Sequence, residues 1–123
     1  MDDDSAVRRA LFRLFDGAGY RVLTFGTAYD LLDALRTDAL SCIVLDLQLP
    51  GMTGIDVLRR LERFRASPPV VVITADDRQP VFELCLSLGS QRCFGKPLDC
   101  TALLAAVDEI VRAKHALSRR TDR

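Results

Sequence analysis

Four polar stations interrupt an otherwise apolar pattern: the pair Asp2-Asp3, then Asp46, Thr74 and Lys96. Asp46 ends the run Cys42-Ile43-Val44-Leu45, Thr74 ends Val70-Val71-Val72-Ile73, and Lys96 follows the short segment 91–95 and precedes Pro97. Brought together, these residues assemble three carboxylates, a hydroxyl and an ammonium. Clustered carboxylates repel one another, and burial raises the cost of ionising them. A hard divalent cation relieves the repulsion. Mg2+ suits the set, since it takes one or two carboxylates and keeps several waters. With the metal in place, one carboxylate can attack a phosphoryl group. The metal and the lysine neutralise the phosphoryl oxygens, and the hydroxyl donates a hydrogen bond to one of them. The product is an acyl phosphate on aspartate.

These side chains meet only if strand ends share one edge of a sheet, and the hydrophobic pattern predicts that they do. Ala6, Val7, Ala10, Leu11, Leu14 and Phe15 recur with the period of an amphipathic helix over 5–16. Asp4 or Ser5 can cap its start, and Gly17 and Gly19 can end it. Tyr20 to Phe25 reads as a strand. Ala28, Leu31, Leu32 and Leu35 form a second helical stripe. The runs 42–45 and 70–73 are continuously apolar, as expected of strands buried on both faces. Between them lie a Pro/Gly loop over 47–54 and a helical stripe through Val57, Leu58, Leu61 and Phe64. A fourth helix runs through Val81, Phe82, Leu84, Cys85 and Leu88, a brief strand spans 91–95, and a last helix is capped by Asp99 or Thr101. After Lys114 the pattern decays into a polar tail. Strand and helix alternate, which predicts an α/β fold with a parallel sheet covered on both faces. Ligands of such sheets bind at the carboxyl ends of the strands.

The ordered set of Asp2-Asp3, the segment Val44-Leu45-Asp46-Leu47-Gln48-Leu49-Pro50-Gly51-Met52-Thr53-Gly54, the strand end Val72-Ile73-Thr74-Ala75 and Lys96-Pro97 resembles the receiver domain of bacterial two-component response regulators, from residue 1 to about 113. The resemblance implies a flavodoxin-like doubly wound parallel sheet. It implies that Asp46 is the phospho-acceptor, served by Thr74 as the switch hydroxyl and by Lys96. Asp3 would ligate Mg2+ directly, Asp2 would act through a metal-bound water, and Gln48 would offer its backbone carbonyl. The Lys96-Pro97 bond would be cis, which a tertiary amide tolerates at low cost. A histidine kinase or phosphotransfer protein would supply the phosphoryl group. Phosphorylation would shift a population between two conformations, and an unidentified partner would read the region of residues 78–111. A homodimer through that region is left open. The domain would cover 1–114, with 115–123 as a basic tail or linker stub.

Three positions depart from the family pattern. The family places an apolar central strand directly before the acidic pair, whereas Met1 precedes Asp2 here. That strand is therefore expected to be missing, through a misassigned start, and unpaired backbone groups beside the gap are costly. The polypeptide is expected to be poorly stable or to pair the gap with something else. Second, Cys93 stands three before Lys96, where an aromatic ring often serves as the second half of the switch; Phe94 should face the other side of its strand. Third, Gln48 and Asp76 flank the expected path of an attacking water, so alanine at either should lengthen the life of the acyl phosphate.

The 123 residues contain 17 basic and 17 acidic side chains. This size suits one domain, and the neutral balance gives no general pull toward nucleic acid or an anionic membrane. No apolar run reaches the ~20 residues that span a bilayer. A bacterial cytoplasmic location is expected. The cysteines Cys42, Cys85, Cys93 and Cys100 form no C-x-x-C pair and read as buried free thiols. His115 is the sole histidine, so His-dependent catalysis is not expected. The chain reads as a phospho-acceptor rather than an enzyme. A haloacid-dehalogenase-type phosphohydrolase would need an acid where Gln48 stands. A degenerate receiver that binds a partner without phosphorylation is the alternative.

Overall fold

The computed structural model describes residues 5–36, 40–48, 52–63, 68–76 and 78–121, with side chains followed as far as Lys114. The elements alternate as the hydrophobic pattern requires: α1 (Ser5–Gly17), α2 (Ala28–Ala34), β1 (Ile43–Asp46), α3 (Gly54–Leu61), β2 (Val70–Thr74), α4 (Gln79–Ser87), β3 (Arg92–Gly95) and α5 (Cys100–Thr121). The three strands form a parallel sheet in the order β1-β2-β3. Asp46 stands beside Ile73, and Thr74 beside Gly95, so all three strands finish at the same edge.

Alternation along the strands divides the core in two. Ile43, Leu45, Val70 and Val72 pack with Leu31, Val57, Leu58 and Cys85, from α2, α3 and α4. Val71 and Ile73 pack on the opposite face with Leu11 and Phe15 of α1 and Leu103, Val107 and Val111 of α5. Val71, Val72 and Ile73 are fully buried. The continuous apolar run of β2 therefore reflects helices on both faces.

Local signals fix the helix ends. Thr27 caps α2 by accepting from the Asp30 amide, and Thr53 caps α3 by accepting from the Asp56 amide. Asp99, of the two expected candidates, caps α5: its carboxylate accepts from the Ala102 amide at 3.1 Å. Two helices end at glycines with positive φ, Gly19 after α1 and Gly89 after α4. At the first, the Tyr20 amide reaches back to the Phe15 carbonyl and the Gly19 amide to that of Asp16. The Tyr20 and Phe15 rings meet edge to face at 6.0 Å, the apolar contact that accompanies such a terminus.

Two expectations need correction. Residues 20–25 form no strand among the described residues. A strand is defined by its ladder, and an apolar groove of about 430 Å3 separates this segment from β1. Leu11, Phe15, Val107 and Val111 wall the groove on one side and Leu31 on the other. The second correction is at the C-terminus, where α5 continues to Thr121, beyond the end of the apolar stripe at Lys114. Ala, Leu and Arg are good helix formers, so the backbone propagates past the apolar stripe.

Candidate functional site

Asp46 ends β1 with its side chain 1% exposed. Such burial of a carboxylate is costly unless it is paired and hydrogen-bonded. Both conditions are met. Oδ2 accepts from Lys96 Nζ at 2.7 Å, and Oδ1 accepts from the Gln48 amide at 2.9 Å. The turn after β1 is closed further by the Gly54 amide, which donates to the Leu47 carbonyl at 2.8 Å. Gly54 is required here by space: a Cβ would lie 2.5 Å from Leu47 Cα and 2.8 Å from the Asp46 carbonyl oxygen.

Thr74, also buried, ends β2, and its carbonyl accepts from the Lys96 amide at 2.9 Å. This bond ties the end of β3 to the end of β2 and sets where the Lys96 side chain begins. The Lys96-Pro97 peptide bond is cis, as the resemblance implies. Thr74 Oγ1 accepts from the Asp76 amide at 3.0 Å. The structure thus brings together Asp46, Thr74 and Lys96 from three adjacent strand ends. Asp2 and Asp3 lie outside the described residues. The Gln48 side chain is exposed, and its amide is turned toward Asp46.

The described donor set contributes one buried carboxylate, that of Asp46, with Gln48, whose carbonyl the resemblance implicates, two residues on. Oxygen donors of this kind fit a hard cation such as Mg2+, which retains waters in its remaining positions.

The surroundings bear on three further expectations. Asp76 does not present a bare carboxylate to water: Arg78 Nε and the Arg78 NH2 group each donate to one of its oxygens at 2.7 Å. This hydrogen bonding with Arg78 holds the Asp76 carboxyl below its ordinary range. Sequence reasoning singled out Asp76 but missed Arg78; a carboxylate and a guanidinium two residues apart in a turn was the available signal. Cys93 and Phe94 do face opposite sides of β3, Cys93 with the α2–α4 core and Phe94 with the α1–α5 core. Cys93 Sγ lies 3.6 Å from Ser90 Oγ. The four cysteines are free, but of the four expected to be buried only Cys85 is; Cys42 and Cys93 are half-buried, and Cys100 is exposed at the start of α5, off the stripe that buries Leu103.

The profile of the response regulator receiver domain family matches residues 1–108. The transcriptional regulatory protein FixJ of Bradyrhizobium diazoefficiens is 32% identical over 112 residues, which are 91% of this chain and 55% of that protein. The sensory/regulatory protein RpfC of Xanthomonas campestris pv. campestris is 32% identical over 121 residues, 95% of this chain and 17% of that protein. The chain thus spans about half, or much less, of the length of these relatives. Among solved structures, the response regulator StyR matches with a TM-score of 0.86 at 33% identity, covering 99% of this chain and 63% of that one. The receiver domain of the Francisella response regulator 1452 matches with a TM-score of 0.88 at 23% identity, covering 92% and 93%, and so shares the fold. The parallel sheet, its ending in Asp46, Thr74 and Lys96, and these likenesses agree: the chain belongs to the response regulator receiver domain family.

Proposed function

We propose that the chain is a phosphorylation-dependent signalling receiver in which Asp46 accepts a phosphoryl group from a histidine kinase or phosphotransfer protein. The observation that carries this reading is the buried Asp46 carboxylate with Lys96 Nζ at 2.7 Å, on the strand edge that also carries Thr74. A carboxylate oxygen of Asp46 attacks phosphorus, the bond to the donor's leaving group breaks, and an acyl phosphate forms. Lys96 then neutralises a phosphoryl oxygen, having shared its charge with Asp46 beforehand. Thr74 turns its hydroxyl from the Asp76 amide toward another phosphoryl oxygen. Asp2, Asp3, Asp46 and the Gln48 carbonyl would hold Mg2+, which when bound stabilises the charge that develops on the phosphoryl oxygens.

Movement of Thr74 would reach the surface through β3, whose Lys96 amide is bonded to the Thr74 carbonyl. A downstream protein would read the region of residues 78–111, where Leu84 and Leu86 of α4 are exposed. The test is direct. Incubation with acetyl phosphate and Mg2+ should add the mass of one phosphoryl group, and Asp46→Asn should abolish the gain. Equal gain by the variant would place the acceptor elsewhere.

A further inference from the structure

Between β2 and α4 two consecutive short-range bonds form a chain. The Asp76 amide donates to Thr74 Oγ1 at 3.0 Å, and the Asp76 carboxylate receives both prongs of the Arg78 guanidinium at 2.7 Å. The Arg78 amide also donates to Asp76 Oδ1, at 3.4 Å. Thr74 is buried while Arg78 is exposed, so the chain connects the interior of the site to its rim. A guanidinium fork on a carboxylate fixes orientation in a way that a point charge does not. Here it fixes residue 76, whose amide holds the Thr74 hydroxyl. Both prongs are in place in the same structure in which Asp46 is paired with Lys96.

We propose that Arg78 is a positioning residue: its fork on Asp76 holds the Thr74 hydroxyl against the Asp76 amide and so restrains the switch. The proposal rests on Thr74 acting on the Asp46 phosphoryl group. It adds a restraint set by a side chain that touches neither. Reorientation of Thr74 breaks the bond from the Asp76 amide, and the fork opposes the displacement of Asp76 that accompanies it. An exposed ion pair acts modestly and is screened by salt, so the restraint is worth about two- to fivefold in the rotamer equilibrium.

Arg78→Ala and Asp76→Ala provide the test, because both remove the fork while changing the local charge in opposite directions. Three-bond couplings to the Thr74 methyl carbon report its side-chain rotamer in the unphosphorylated protein. Restraint by the fork predicts that both variants raise the second rotamer by about two- to fivefold, with Arg78→Lys intermediate. It also predicts that both take up phosphoryl groups from acetyl phosphate faster than the parent. Couplings equal to the parent's in both variants, or shifts of opposite sign that follow the charge, overturn the proposal. Failure of the parent to become phosphorylated while the couplings still shift would sink the phospho-acceptor reading and leave the restraint standing. Normal phosphorylation with unchanged couplings would do the reverse.

Discussion

The chemistry at the single residue depends on a buried carboxylate held by one ammonium group. Asp46 is 1% exposed and balanced by Lys96. Loss of the lysine leaves the charge without its cation, an expensive arrangement. Lys96→Ala should therefore lower both the phosphorylation rate and the unfolding midpoint, measured by acyl phosphate formation and by denaturant titration. A variant with the parent's rate and midpoint would show that the pair is not coupled to function. The thiols give a second check. Burial pushes Cys42 and Cys85 each up to about 11, whereas Cys100 is exposed. The thiolate is the reactive form, so iodoacetamide at pH 8 should modify Cys100 well ahead of Cys42 and Cys85. Labelling of Cys42 should rise as the pH approaches 11. Asp46 and Thr74 were legible in the sequence because each is a polar residue ending an apolar run, and Lys96 because it follows the short strand and precedes Pro97. Arg78 was not, since its part depends on a turn that returns the side chain to Asp76.

Among the elements, the turn from β1 to α3 and the attachment of α1 to α5 are the informative joints. Gly54 sits where a Cβ would press on the backbone of Asp46 and Leu47. Gly54→Ala should cost about 1–3 kcal/mol of stability through forced displacement, and should slow phosphorylation more than Gly17→Ala, whose added Cβ meets nothing within 4 Å. Unchanged stability would mean that the turn relaxes freely. At the other joint, the Tyr20 hydroxyl donates to Asp108 on α5. Burial first, and then this bond, raise Tyr20 from 10.0 to about 12. Its neutral form is thus favoured by folding, a contribution present below pH 10 and lost as the pH rises through about 12. Denaturant midpoints should fall over that window, and Tyr20→Phe should make the fall shallower. Cys42 and Cys85 keep part of the slope, since their values of about 11 lie within it. Helices and strands were largely predictable here because stripe and run have different periods. The segment 20–25 was not, because a strand exists only with a neighbour, and periodicity does not report whether the neighbour is there.

For the whole molecule, the apolar groove between residues 20–25 and β1 is the weak point. Its walls come from both core faces, so an apolar extended segment placed between them would bury side chains on each side. Fusing five residues of alternating Val and Ile ahead of Asp2 should raise the thermal midpoint by roughly 10 °C. That figure follows from burying about two aliphatic side chains in a domain of this size. A Gly/Ser extension of equal length should leave the midpoint where it is. Equal midpoints for both extensions would mean that the groove does not accept a strand. The length of 123 residues suits one domain, and the neutral charge points to no particular partner. Neither could reveal the groove beside β1 or the pairing of Asp46 with Lys96 at the strand edge, because both quantities describe the chain as a whole.

The central claim is that the phosphoryl group resides on Asp46. Borohydride reduces an acyl phosphate to an alcohol, so treating the phosphorylated protein and sequencing its peptides by mass spectrometry identifies the acceptor. The account predicts homoserine at position 46, absent when acetyl phosphate or Mg2+ is withheld. Reduction at another carboxylate, or homoserine at position 46 without the donor, would contradict it.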